Sequence, residues 1–350
     1  MSLASYLRAA PKVELHVHLE GAIQPETLLT LARRNGVTLP ARDVAGLRQW
    51  FTFRDFPHFV QIYYTISTCL RTAADYEEIA YQFGAEMARQ HTRYAEVTFS
   101  PSTQYSRGVP LDAWFGGLTR GRARARADFG VEIAWVFDIV RYLSDASQVH
   151  PLADYTTSVA IEGVRDGVIA LGLGGLEAGH PPEPFAPYFA RARAAGLHSA
   201  PHSGETAGPE SIWGSIRALG AERIGHGVRA IEDPALVRHL ADEHLPLEVN
   251  PTSNLRLGIY PSLAEHPLRR LREAGVTIAV GSDDPPLFNT TLSDEVALLD
   301  EPFAFDLAAC DAILLDAVRS SFLPAERKDA LLARCAADLA ALKAEHLGAG

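Results

Sequence analysis

Eight short β-rich runs, most of them nearly continuous strings of apolar residues, recur along this chain with helical segments between them. They fall at 13–19, 94–100, 131–139, 168–174, 198–203, 223–227, 246–250 and 277–282. A strand that is apolar along its whole length is covered on both faces, as parallel strands flanked by helices are. The repeated β-then-α order, without a linker or repeat boundary, predicts an α/β fold. The expected form is a single (β/α)8 TIM barrel, with residues 1–350 as one domain. Strand count alone does not close a barrel, so a doubly wound open sheet is the alternative.

The interval from 21 to 93 is too long for one crossover helix and predicts extra helices after the first strand, laid over the barrel mouth. Trp50, Phe51, Phe53, Phe56, Phe59 and Tyr63 belong to that insertion. Aromatics so spaced are core residues or line an apolar substrate pocket. Elsewhere Ile79, Phe83 and Met87, four apart, predict one buried helix face. Leu331, Cys335, Leu339 and Leu342 predict another, behind Pro324 in a first turn.

Composition narrows the function. Hydrophobic residues make up 47% and charged residues 21%, the balance of a globular chain with a large core. A net charge of −11 repels phosphate backbones and argues against a nucleic-acid partner. The basic run from Arg120 to Arg126 alternates with Ala and Gly, which suits the solvated face of a helix. Cys69, Cys310 and Cys335 lie far apart in apolar stretches and read as buried free thiols. No apolar run reaches the roughly 20 residues of a membrane helix, and residues 1–11 do not resemble a signal peptide. A cytoplasmic protein without a membrane partner is expected; no feature specifies an oligomeric state.

The chemistry sits at strand ends. His16-Val-His18 closes the first run, and strand alternation points both imidazoles to one side, toward the barrel interior. His202-Ser-Gly-Glu205 closes the fifth run, His226 the sixth, and Asp283-Asp284 the eighth. All lie at carboxyl ends, where barrel enzymes hold their active sites. Three imidazoles and a carboxylate can hold one Zn²⁺ and leave room for water. Two-metal hydrolases of this architecture usually carry a lysine at the end of the fourth strand. That run, Val168-Ile-Ala-Leu-Gly-Leu-Gly-Gly175, has none, so one zinc per chain is expected.

Pro11-Lys-Val-Glu-Leu-His-Val-His-Leu-Glu-Gly21, His202-Ser-Gly-Glu205, Arg223-Ile-Gly-His-Gly227, Pro251-Thr-Ser-Asn254 and Ser282-Asp-Asp-Pro285 together resemble the signature segments of the adenosine deaminases. They occur in that family's order, over roughly residues 11 to 340. The resemblance implies that His16, His18, His202 and Asp283 ligate zinc. It implies that Glu205 protonates the purine N1 and that His226 orients the attacking hydroxide. Asp284 would orient it too and meet the N7 side of the base, while a backbone N–H at Gly175 faces N3. His18 and Glu20 would also lie against the substrate, a small-molecule purine. Polynucleotide deaminases instead use a His/Cys/Cys site with a C-x-x-C segment, which this sequence lacks.

Glu20 stands where the family usually carries Asp, the residue that holds the ribose 5′-hydroxyl, and its longer side chain is expected to reach further into the sugar end of the pocket. Ser203 replaces a usual Ala. Residues 50–59, 93–97, 171–177 and 185–188 are similar to a bacterial branch associated with aminodeoxyfutalosine, a 5′-extended adenine nucleoside of menaquinone synthesis. The resemblance therefore implies hydrolytic deamination of adenosine or such a relative, with a free-adenine deaminase as the alternative. A non-catalytic zinc-binding or ligand-binding descendant is a third reading, since fold does not fix function. Glu205 and His226, which metal binding does not need, argue against it.

Overall fold

The computed structural model describes residues 2–141 and 145–346 of the 350. Eight strands pair in sequence order, every pairing parallel: β1 (Lys12–His18), β2 (Thr92–Phe99), β3 (Glu132–Val140), β4 (Val168–Gly174), β5 (His198–Ser203), β6 (Ile224–His226), β7 (Leu247–Val249) and β8 (Ile278–Val280). The two ends meet just beyond β8. The Asp283 N–H donates to the His16 carbonyl at 2.8 Å, and the His18 N–H to the Asp283 carbonyl at 2.9 Å. Those bonds close the sheet into a (β/α)8 barrel and place Asp283 against both histidines of β1.

Strand alternation sorts β1. Val13, Leu15 and Val17 face outward into apolar clusters. Glu14, His16 and His18 turn the other way, and the Ser282 hydroxyl, just past the adjacent β8, donates to Glu14. The last three strands are each only three residues long, shorter than their apolar runs. His226, the last residue of β6, and Asp283, three residues past β8, both have left-handed backbone angles, φ +60° and +62°, where the site begins.

Four helices fill the interval between β1 and β2: Pro25–Arg34, Val44–Trp50, Phe56–Thr68 and Ala73–Arg89. The third lies over the carboxyl end of the barrel. The fourth buries Ile79, Phe83 and Met87, the expected face. It packs closely on Leu111–Phe129, where a Cβ at Gly121 would stand 2.4 Å from the Glu77 carbonyl. The basic run thus splits by face: Gly121 and Ala125 make the helix contact, while Arg120 and Arg124 reach Glu77 from the surface. In the final helix, Ala325–His346, Cys335 and Leu339 are buried. All three cysteines are free and buried. Among the described residues no helix is long and apolar enough to cross a membrane.

Candidate active site

The strand ends bring His16, His18, His202, His226, Glu205, Asp283 and Asp284 together at one end of the barrel. His18 and His202 turn their Nε2 atoms toward each other at 3.1 Å. Asp283 Oδ1 lies 3.4 Å from His18 Nε2 and 3.6 Å from His16 Nε2. His226 Nε2 stands 3.5 Å from a Glu205 carboxylate oxygen and 4.0 Å from Asp283 Oδ2. Candidate ligand atoms of His16, His18 and Asp283 all fall within 4.8 Å of one another, as do those of His16, His202 and His226. His16 Nε2 is buried without a hydrogen-bond partner. Inward-facing ring nitrogens around a carboxylate are the arrangement a cation satisfies.

Buried bonds behind the cluster fix its orientation. His16 Nδ1 meets the Glu248 carboxylate at 2.8 Å, and Arg223 pairs with both Glu248 and Glu96. The Ser253 hydroxyl donates to Asp283 Oδ2 at 2.6 Å. A further chain sets His226. The Leu268 N–H donates to His266 Nδ1, so His266 carries its proton on Nε2 and gives it to Asn254 Oδ1 at 3.0 Å. That leaves the Asn254 amide nitrogen facing His226 Nδ1 at 3.3 Å, alongside that of Asn250 at 3.3 Å. His226 Nδ1 therefore accepts, and its proton sits on Nε2, pointing at Glu205 and Asp283.

Burial dominates the electrostatics. It pushes the Glu205 carboxyl up to about 8, helped by the Asp283 charge. It lowers His18 to about 4 and His226 to about 3, so both imidazoles are neutral at pH 7. Burial also raises Asp284 well above the ordinary carboxyl range, with Asp283 beside it. For Asp283 burial acts in the same direction, but the approach of His16 at 3.6 Å and the surrounding imidazoles outweigh it and hold the carboxylate ionised. Two neighbouring carboxyls are thus driven apart, the arrangement in which one group serves as an acid and another as a ligand.

The cleft above this cluster is lined by Phe56, Phe59, Val60, Tyr63 and Tyr64 from the inserted helix, by Ser100, Thr103, Asp138, Val140 and Gly175, and by the ionisable groups just described. The aromatic cluster accordingly divides. Phe51 is core, whereas Phe56, Phe59 and Tyr63 line the cleft, with Phe59 stacked on Phe288 at 5.5 Å. Gly175, at φ +86°, lies in the lining. Glu20 does not. It is fully buried, accepting from the Tyr63 hydroxyl at 3.2 Å and the Ser100 N–H at 3.3 Å, so Tyr63 stands between it and the cleft.

Several residues here were not anticipated. Glu177 accepts backbone N–H groups from Gly204, Glu205, Thr206 and Ala207, and Glu248, Asn250, His266 and Asp138 join it. The signal for three of them is a polar residue inside or just after an otherwise apolar run.

An adenosine deaminase family model matches residues 11–338. The aminodeoxyfutalosine deaminase of Streptomyces avermitilis is 39% identical over 96% of this chain and 92% of its own. The crystal structure of an adenine deaminase from Arthrobacter aurescens superposes with a TM-score of 0.87 at 33% identity, over 94% of this chain and 99% of that one. An amidohydrolase from Burkholderia ambifaria, solved with bound Zn, has the same fold at 24% identity, with a TM-score of 0.87 over 98% and 94% of the two chains. The chain belongs to the adenosine deaminase family and is a deaminase, a hydrolase acting on the C–N bonds of cyclic amidines.

Proposed function

We propose that the protein hydrolyses the 6-amino group of an adenine nucleoside, adenosine or a 5′-modified relative such as aminodeoxyfutalosine, releasing ammonia and a 6-oxopurine nucleoside. The observation that carries this reading is the convergence of a metal-competent His/Asp cluster with Glu205, His226 and Asp284 on one buried wall. His16, His18, His202 and Asp283 would hold one zinc ion. Neutral imidazoles with a single carboxylate are a donor set zinc takes, and the partnerless His16 Nε2 fits that role. When bound, zinc lowers the pKa of a coordinated water toward about 7.

The protein's own groups supply the rest. Glu205, holding its proton near neutral pH, donates to the purine N1 as water adds at C6. His226, with its proton on Nε2, donates toward the added oxygen and stabilises the charge there. Asp284, whose Oδ1 is buried without a partner, takes the N7 side of the base and helps orient the water. The Gly175 N–H meets N3, and His18 closes the wall beside the base. Collapse at C6 then expels ammonia.

Two observations support a nucleoside with a substituent beyond the ribose. The cleft opens past Phe56 and Phe59 to Val60 and Tyr64, which are 46% and 56% exposed at its mouth. The Streptomyces relative bears the name of a deaminase of such a compound. A second reading, the free base, rests on Glu20. With its carboxylate shielded by Tyr63, it offers no direct contact to a sugar hydroxyl, and the Arthrobacter relative is named an adenine deaminase. Ammonia release from aminodeoxyfutalosine, adenosine and adenine by the zinc-loaded protein tests the choice. Turnover of adenine alone would refute the nucleoside reading, and more than one metal per chain by elemental analysis would refute the single site.

A further inference from the structure

Asp138, near the end of β3, is 3% exposed and lines the cleft, yet its Oδ1 has no hydrogen-bond partner among the described residues. Asp284 Oδ1, at the proposed N7 contact, is also without a partner, whereas three other buried carboxylates of the barrel are committed. Glu14 binds Ser282 and the His16 N–H, Glu248 binds His16 and Arg223, and Glu177 holds four backbone N–H groups. Arg141, three residues on, does not serve Asp138; its guanidinium donates to the Leu173, His180 and His202 carbonyls. A buried carboxylate without a donor is costly, and that cost is offset when a ligand supplies one.

The neighbouring strand is shaped to this side chain. Asp138 pairs in register with Gly172, and Val140 with Gly174. A Cβ at Gly172 would stand 2.4 Å from Asp138 Oδ1, and one at Gly174 2.1 Å from Oδ2. Only a strand lacking both side chains lets the carboxylate lie flat on β4, one residue from Gly175. The histidines and Asp283 come from β1, β5, β6 and the turn after β8. Ser100, Asp138 and Gly175 come from the ends of β2, β3 and β4, the sector of the barrel between β1 and β5 that carries none of those groups. A purine with C6 at the histidines therefore turns its N3 and N9 edge, and the sugar on N9, toward Asp138.

Resting on the nucleoside reading above, we propose that Asp138 is a specificity-determining residue that accepts a hydrogen bond from a ribosyl hydroxyl of the substrate. A free base would present one N–H on this side. The sector instead offers several hydrogen-bonding side chains, Ser100, Thr103 and Asp138, with the Tyr63 hydroxyl nearby, and opens onto the cleft mouth. That set matches a polyol.

The test compares wild type, Asp138→Ala and Asp138→Asn on adenosine, 2′-deoxyadenosine, 3′-deoxyadenosine and adenine. Asp138→Ala is expected to lower kcat/KM for adenosine about 10- to 100-fold, chiefly through KM. One of the two deoxynucleosides, already that much poorer with wild type, should lose no more than about twofold further, as a shared contact requires. Asp138→Asn, which keeps the shape and one acceptor oxygen, should recover most of the loss. Equal losses on all four compounds would overturn the assignment in favour of a structural role. A loss confined to adenine would assign the N9–H instead, and no loss would also overturn it. Wild type inactive on both adenosine and aminodeoxyfutalosine would instead bring down the nucleoside reading itself, and this inference with it.

Discussion

The Glu177 carboxylate receives the backbone N–H of Glu205 at 3.0 Å, together with those of Gly204, Thr206 and Ala207 on either side. One buried side chain on the segment after β4 thus holds the turn that carries the proposed acid. Replacing Glu177 with Gln turns an amide toward N–H groups that need an acceptor. Glu205 would shift by a fraction of an ångström to an ångström, a misplacement worth about 10- to 100-fold in kcat. The expected signature is a fall in kcat with KM and bound metal little changed. A variant with wild-type kcat would show that the turn holds its shape without Glu177.

His226 makes a sharper case, because its proton position follows from a chain of assigned donors and acceptors. Asn254→Asp keeps the acceptor that His266 needs but replaces one of the two donors to His226 Nδ1 with a carboxylate oxygen, leaving only Asn250 as a donor there. The new carboxylate pulls the His226 proton toward Nδ1 against Asn250, and with the proton there Nε2 is an acceptor facing a site that needs a donor. We expect kcat to fall by about 10²-fold or more, the cost of losing one well-placed donor to a developing oxyanion. Thermal unfolding should change modestly. Unchanged kcat would mean that the tautomer of His226 does not matter to turnover.

Much of this was legible in the sequence, for identifiable reasons. Parallel strands buried on both faces announce themselves as apolar runs, so all eight were found within a few residues of their observed ends. His16 and His18 were legible because alternation fixes which way i and i+2 point, and His202 and Asp283 because they end runs. What stayed hidden depends on how loops fold back. Nothing in the segment ending at Glu177 says that its carboxylate will meet four N–H groups almost thirty residues later. Glu20 is a different case, because its surroundings could not be read from its length. A longer side chain suggested reach into the pocket, but the Tyr63 hydroxyl and the Ser100 N–H hold it in the wall. Asp138 was visible as a charge in an apolar run, but its meaning needed the glycines of β4.

Gly21 is a position where a methyl group decides the site. An ideal Cβ there would lie 1.6 Å from Asp284 Oδ1, so the carboxylate and the β1 turn touch with no room between them. Gly21→Ala must displace Asp284, whose backbone also begins the short helix Pro285–Phe288. We expect kcat/KM to fall by about 10²-fold, in the range for loss of a positioned acid or base, while zinc content stays near one per chain. Loss of metal together with activity would instead place the damage at Asp283.

Glu248 links the proposed metal site to the barrel floor and gives a test that does not depend on turnover. Its Oε2 meets His16 Nδ1 at 2.8 Å, and its other oxygen is held by Arg223, itself shared with Glu96. A carboxylate behind a ligating histidine fixes the ring and raises its basicity, and removing such a partner commonly costs about 10- to 100-fold in metal affinity. Glu248→Gln keeps the size and can still accept from His16, but with a neutral oxygen. Competition against a chelator of known affinity should show zinc held about tenfold or more weakly, within that range. Activity lost on dilution should return when zinc is added in excess. Removing zinc from the wild type should abolish turnover and lower the unfolding temperature, since an ion bound only by the native state stabilises it by mass action. If Glu248→Gln holds zinc as tightly as wild type yet turns over more slowly, the Arg223–Glu248–His16 chain acts on the reaction and not on the metal.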